Sequence, residues 1–142
     1  MRLIRVISKS AFLLSFCLPL TGSVGVLGIK VSGTDQPIFS IYAPMSWAKP
    51  CVAGLSVTYG LGGKGSFSHV MWNEYSTAKG ICLSSKPAEY GTATPGFITA
   101  VAPKTLDDGK VYRVEADALG RFGFVYFRRI RGVYTKIDPP FD

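Results

Sequence analysis

The feature that most constrains this chain is a succession of short β-prone runs, each closed by glycine or proline. The runs recur at intervals of about 8–15 residues, and none shows the 3.6-residue periodicity of a long helix. Seven of them qualify as strands: 38–42, 51–59, 67–74, 81–84, 97–101, 111–117 and 121–130. The pattern predicts an all-β domain over residues 37–137, an antiparallel sandwich of about seven strands.

Composition supports a folded domain and excludes two other classes of chain. Of the 142 residues, 47% are hydrophobic and 18% are charged, which is too apolar for intrinsic disorder. The 16 glycines and 9 prolines interrupt the sequence too often for a helical bundle. A chain of this length holds one domain.

The N-terminal segment has the features of an export signal. Arg2, Arg5 and Lys9 precede an uncharged run, Ser10–Ile29, whose apolar part has the length of a signal peptide. We interpret residues 1–23 as a signal peptide or, since the run is about as long as a spanning helix, as a membrane anchor. Lipid attachment at Cys17 is a third interpretation. All three place the remaining chain in the periplasm or outside the cell.

The segments on either side of the predicted domain are short. Residues 24–36 are mainly glycine, serine, valine and threonine, and we expect a flexible linker there. Residues 138–142 form a tail. The leader accounts for three of the seven net positive charges, so the exported part is only mildly cationic.

Two cysteines remain once the leader is set aside. Cys51 and Cys82 form an even pair, and in an oxidising compartment the expectation is a disulfide. A zinc site is excluded because these two cysteines and the single histidine, His69, do not supply four ligands.

The alternation of residue types predicts the inward face of three strands. It selects Cys51, Ala53, Leu55, Val57 and Tyr59 on the second strand, Val70 and Trp72 on the third, and Phe122, Phe124 and Tyr126 on the last. Trp72 is expected to pack in the core near the disulfide. The three C-terminal aromatics are also expected to be core side chains.

A local pattern before the penultimate strand indicates how the two sheets are joined. Leu106 lies six residues before Tyr112, with a turn between them. In β-sandwiches this arrangement is the tyrosine corner, in which the phenol bonds to the backbone and fixes the crossover between sheets.

These residues carry a resemblance to known domains. Through Leu106, Gly109, Tyr112 and Val114, and the hairpin that follows, the sequence resembles fibronectin type III and immunoglobulin-like modules. It is also similar to small secreted bacterial proteins and lipoproteins of unknown function. That second likeness rests on Trp72, Cys82, Tyr90-Gly91 and Pro95-Gly96-Phe97, in addition to the tyrosine corner. The resemblance covers roughly residues 38–130 and implies an immunoglobulin-like sandwich without implying an activity.

Three motifs that suggest chemistry fail on their context. The glycines of Gly60–Gly65 match a dinucleotide fingerprint, but a strand-like segment follows them where a helix must receive the phosphates. Gly120–Phe127 approximates an RNA-binding submotif, yet too few residues follow for that fold. His69 lies on the opposite strand face from Ser68 and Glu74, which excludes a triad. We expect no enzyme activity, no cofactor, no metal ion and no nucleic acid.

The densest group of positive charge lies near the C-terminus. It comprises Arg128, Arg129, Arg131, Tyr134 and Lys136, with Arg121 upstream. One interpretation is a set of solvated charges that protects a strand edge. The other is a patch that binds an anionic component of the cell envelope.

The sequence therefore predicts a protein that acts by binding. We expect an exported, non-enzymatic module that contacts another protein of the periplasm or cell surface. The alternatives are a structural or adhesive subunit that assembles through strand edges and a binder of an anionic envelope ligand. Membrane contact is expected only through a retained or lipidated leader.

Overall fold

The computed structural model describes residues 25–44, 49–60, 67–78, 82–83 and 86–139. The predicted leader, Cys17 and the end of the predicted tail lie outside these residues. The described residues are all-β and contain no helix long and apolar enough to cross a bilayer. They form ten strands: β1 (Gly25–Val26), β2 (Gly28–Ser32), β3 (Ile38–Tyr42), β4 (Val52–Tyr59), β5 (His69–Ser76), β6 (Ala88–Glu89), β7 (Phe97–Val101), β8 (Tyr112–Ala118), β9 (Arg121–Ile130) and β10 (Val133–Ile137).

The strands are arranged in two sheets, which confirms the predicted β-sandwich. The large sheet has seven strands in the order β1-β9-β8-β4-β5-β7, and β10 also pairs with β9. The small sheet has the order β2-β3-β6. Every pairing is antiparallel except that of β1 with β9, which is parallel.

The core lies between one face of the large sheet and the small sheet. Phe39 of β3 meets Phe127 of β9 edge to face, with ring centroids 5.4 Å apart. Trp72 is only 1% exposed and packs against Tyr90 at 5.3 Å, so the core position predicted for Trp72 is confirmed. The side chains that are less than 2% exposed include Trp72, Tyr112, Phe39, Phe127, Leu55, Glu74, Val57 and Val114.

Two tyrosine hydroxyls form hydrogen bonds with the backbone of other segments and so hold those segments in place. Tyr112 accepts a hydrogen bond from the amide of Asp107 at 2.8 Å, while Leu106 packs against the core, as a tyrosine corner requires. The hydroxyl of Tyr90 lies 2.8 Å from the carbonyl of Lys104 and 3.1 Å from that of Met71, and it accepts from the Lys104 amide at 3.2 Å. Burial raises the pKa of Tyr112, and it raises the pKa of Tyr90 to about 12. Both phenols therefore stay neutral at physiological pH.

The predicted disulfide is present. Cys51 and Cys82 are bonded, with Cα atoms 4.9 Å apart, and the bond closes a segment whose ends are 31 positions apart. Beside it, the amide of Leu83 donates to the carbonyl of Val52 at 2.9 Å. Neither Cys82 nor Leu83 belongs to a strand, so the strand predicted over 81–84 is absent from its described part.

The flexible linker predicted over 24–36 is wrong for most of its length. Residues 28–32 form β2, which pairs with β3 to begin the small sheet. Leu27 and Ile29 are 3% and 2% exposed and belong to the core. Burial of these two side chains outweighs the flexibility of the surrounding glycines and serines. The sandwich therefore includes β1 and β2, which precede the predicted start at residue 37.

The inward face predicted for β4 is correct in its second half and wrong at its start. Leu55 and Val57 are buried, but Val52 is buried in place of Ala53. A register irregularity against β8 between Val52 and Gly54 shifts the alternation by one residue, as a β-bulge does. Cys51 consequently lies just outside the strand and is half-buried.

Candidate interaction surface

Strand β9 presents its aromatic side chains to opposite sides of the large sheet. Phe127 is fully buried beneath the small sheet, whereas Phe122 and Phe124 are 44% and 46% exposed on the other side. The prediction that Phe122, Phe124 and Tyr126 are core residues is therefore wrong for the first two. Tyr126 is half-buried on this same outer side.

A close approach of the backbone explains this arrangement. The inward residues of β9 include Gly123, over which Leu27 crosses, and the Leu27 amide donates to the Phe122 carbonyl at 3.0 Å. A Cβ atom at position 123 would collide with the carbonyl oxygen of Leu27. Only glycine fits here, so the bulky neighbours of Gly123 must occupy the outer face.

The three outward aromatics, Phe122, Phe124 and Tyr126, form a continuous row that we call the aromatic strip. Neighbouring ring centroids are 5.9 Å and 5.8 Å apart. Phe67, from the segment that leads into β5, extends the row by packing on Tyr126 at 5.1 Å. The row therefore runs along the outer face of the large sheet. Phe122 and Phe124 at one end are exposed, and Phe67 at the other end is buried.

Charged residues on β8 flank the strip. The register places Asp117, Glu115 and Arg113 directly opposite Phe122, Phe124 and Tyr126. The guanidinium of Arg113 lies 5.4 Å from the centroid of Phe67 and 5.7 Å from that of Phe124, within cation–π range. It also forms an ion pair with Glu115 at 2.6 Å. Arg113 is therefore held in place while part of its side chain remains accessible.

The ring planes of the strip are not parallel to one another. Phe122 and Phe124 are tilted by 47°, and Phe124 and Tyr126 by 80°. The surface therefore presents both ring edges and ring faces beside the guanidinium of Arg113. Aromatic and arginine side chains are among the residue types enriched in protein interfaces.

The structure divides the predicted C-terminal cationic patch between different environments. Arg128 lies two residues after Tyr126, on the same outer face as the aromatic strip, and is exposed. Arg129 pairs with Asp108 at 3.1 Å and lies 5.7 Å from the ring centroid of Tyr134, which is itself buried. Arg129 and Tyr134 are thus engaged in structural contacts.

The remaining members of that patch lie in and beyond the next turn. Arg131 occupies the turn between β9 and β10 with a φ of 52°, and Gly132 follows with a φ of 79°. Lys136 is exposed and is the register partner of Phe127 on β10. The five residues do not form one continuous surface.

A polar groove of about 460 Å³ lies beside Tyr90 and Tyr134. Its lining includes two carboxylates, Asp35 and Glu89, and two cations, Lys104 and Arg129. The charges of opposite sign are balanced, so the groove does not select an anion.

The residues considered for catalysis are not assembled. His69 is exposed at the start of β5. Both carboxylate oxygens of Glu74, which is fully buried, accept from Thr94, at 3.2 Å from its amide and 2.5 Å from its hydroxyl. Within the described part of the chain, no three histidine, cysteine, aspartate or glutamate side chains cluster as metal ligands would.

Phe122 and Phe124 of the aromatic strip, which alternation alone assigned to the core, are thus among the exposed large hydrophobic side chains of the described residues. Comparison with known proteins finds no matching family model, no matching curated protein and no matching solved structure.

Proposed function

We propose that this protein is an exported, non-enzymatic β-sandwich that binds another protein of the cell envelope through the outer face of its large sheet. The observation that carries the proposal is the exposed aromatic strip beside the fixed guanidinium of Arg113. Exposed hydrophobic patches on an ordered surface mark interaction sites. Aromatic and arginine side chains are also the residue types that dominate binding energy in protein interfaces.

The surface is already organised for binding. Its residues lie on β8 and β9, and β8 pairs with β9 along its whole length, from Tyr112 with Phe127 to Ala118 with Arg121. Little conformational entropy is then lost when a partner arrives, because the strand backbone is fixed and aromatic side chains have few rotatable bonds.

The cellular location in the proposal depends on two features. The disulfide between Cys51 and Cys82 supports an oxidising compartment. The leader supports export, and its uncharged run, Ser10–Ile29, overlaps β1 and β2. Because Leu27 and Ile29 belong to the core, they are not available to a spanning helix, and the rest of the run, residues 10–24, is shorter than such a helix requires. This favours a signal peptide over a membrane anchor.

Site-specific photo-crosslinking in the producing cell tests the proposal. A photoreactive phenylalanine analogue at position 124 should give an adduct of discrete mass, and mass spectrometry should identify the attached protein. The same analogue at Tyr42 is the matched control, because Tyr42 is 44% exposed but lies on the small sheet. Adducts of equal yield at both positions, or none at position 124, would overturn the proposal.

The identified partner then permits a quantitative test by calorimetry. Phe122→Ser and Phe124→Ser should each raise the Kd by about tenfold or more, as truncation of an interface anchor does. Tyr42→Ser should leave the Kd unchanged. If the two phenylalanine variants fold and bind like the wild type, the outer face is not the binding surface.

A further inference from the structure

The strand at the far edge of the large sheet from β9 is unusual in its composition. Among the described strands β7 pairs with β5 alone. No charged residue occurs between Tyr90 and Pro103, a stretch that contains the whole of β7. Ile98, the second residue of this strand, is 46% exposed.

Edge strands usually carry features that prevent pairing with another chain. These are charged side chains, especially lysine, a proline within the strand, or a bulge. β7 has neither a charge nor a proline, and its prolines, Pro95 and Pro103, lie outside the strand. A register irregularity opposite Asn73 and Glu74 leaves Ala100 without a partner on β5, so the bulge affects only the end of β7. Phe97–Thr99 remains regular and carries no charge, proline or bulge.

We infer that two copies of this chain associate by pairing β7 with β7, antiparallel and centred on Ile98. A two-fold axis at Ile98 places it opposite Ile98 of the second copy. It also places Phe97 opposite Thr99 of the second copy, and the reverse. An aromatic residue opposite a β-branched one is among the favourable cross-strand pairs. The strand is therefore complementary to itself.

Self-pairing would also cover the apolar side chains that this edge exposes. Tyr75 of β5 is the register partner of Ile98 and is 41% exposed on the same face. In the pair of copies the two Ile98 side chains meet and a Tyr75 flanks each of them. No like charges oppose one another, because the strand has none. The turn before β7 is closed by a hydrogen bond from the Phe97 amide to the Thr94 carbonyl at 3.0 Å, so this amide is already paired and the other backbone groups of the edge carry the association.

This pairing uses the opposite end of the sheet from the aromatic strip, so it does not depend on the proposed function. Light scattering and sedimentation equilibrium of the exported, oxidised protein measure it directly. The wild type should show a concentration-dependent mass that approaches that of two copies. A mass of one copy at every soluble concentration would overturn the inference.

Charge reversal at the two-fold axis tests the register. Ile98→Lys and Ile98→Glu should each lower the association constant by about tenfold or more, because like charges then face each other. An equal mixture of the two variants should recover the two-copy mass, since lysine then faces glutamate. Val133→Lys is the matched control, as Val133 is 45% exposed on β10, and should associate like the wild type.

Two outcomes of this series would contradict β7 pairing. One is a mixture that stays monomeric although both variants fold by circular dichroism. The other is Val133→Lys acting like Ile98→Lys, which would indicate nonspecific association. Hydrogen exchange gives an independent readout, because protection of the β7 amides should rise with protein concentration in the wild type and in Val133→Lys, but not in Ile98→Lys or Ile98→Glu alone.

Discussion

The hydroxyl of Tyr112 accepts a hydrogen bond from the amide of Asp107 at 2.8 Å, so the first residue of β8 holds the turn that leads into it. Tyr112 is 1% exposed and its ring lies 5.8 Å from that of Phe127. The same side chain therefore joins the turn to the core.

Removing this hydroxyl should destabilise the protein without disturbing its core. Tyr112→Phe keeps the ring but leaves the partly buried Asp107 amide without its acceptor, so the free energy of unfolding should fall by about 1–2 kcal/mol. Urea denaturation measures the change. Tyr42→Phe, which removes an exposed hydroxyl, should alter stability by no more than about 0.5 kcal/mol. Equal losses in the two variants would contradict a role for the tyrosine corner.

Two phenylalanines on the same strand should respond in opposite ways to truncation. Phe127→Ala removes a fully buried ring and should cost about 3–5 kcal/mol. Phe124→Ala removes a half-exposed ring and should change stability by no more than about 1 kcal/mol, the span of strand propensity. Thermal and urea unfolding of both variants give the comparison. A large loss for Phe124→Ala would mean that the outer face is covered.

The buried carboxylate of Glu74 should be energetically coupled to Thr94. Both of its oxygens accept from Thr94, which anchors the segment before β7. A double-mutant cycle of Glu74→Leu and Thr94→Val should give a coupling energy of about 1 kcal/mol or more. Thr94→Ser keeps the hydroxyl and should retain most of the stability. Additive losses would show that the two side chains act independently.

The disulfide should contribute a large share of the stability of this small domain. The double variant Cys51→Ser with Cys82→Ser should lose roughly 3–4 kcal/mol in the chain-entropy model. Dithiothreitol should lower the melting temperature of the wild type and leave that of the double variant unchanged. A wild-type melting temperature that does not respond to reduction, with free thiols verified by mass, would contradict this prediction.

Stability should fall in alkali because of Tyr90. Burial raises the pKa of this phenol to about 12 from its ordinary value of 10, so its neutral form is favoured in the folded state. The associated stability is present below pH 10 and is lost as the pH rises from about 10 to about 12. The free energy of unfolding of the wild type should therefore fall across this window by more than that of Tyr90→Phe. If the two proteins lose stability equally across this pH range, Tyr90 is not the cause of the loss.

The sequence contained enough information to find the aromatic strip, but alternation alone could not reveal it. Alternation predicts that Phe122, Phe124 and Tyr126 share a face without indicating which face. The missing information is the register of the β8–β9 hairpin, whose short turn at Leu119 and Gly120 pairs Ala118 with Arg121. Counting back from that pair places each aromatic opposite a charged residue of β8, which identifies the outer face.

Local interactions were the most predictable part of the fold. The tyrosine corner depends on the six-residue spacing of Leu106 and Tyr112, and the disulfide depends on the even number of cysteines left after the predicted leader. The residue spacing and the number of cysteines can both be read directly from the sequence. The strand β2 was missed because its glycine and serine content suggests flexibility, and only its pairing with β3 and the burial of Ile29 make it ordered.

Gly25 of β1 pairs with Arg121 of β9, which joins the first described residue to a strand near the other end of the chain. A polypeptide that crosses a membrane from its N-terminus delivers Gly25 early and Arg121 late. Contacts between such distant segments slow folding, because the intervening chain must be gathered first. If the chain is exported as we propose, translocation must be almost finished before β1 can pair with β9, so a stalled or truncated chain would lack this pairing and would be open to proteases.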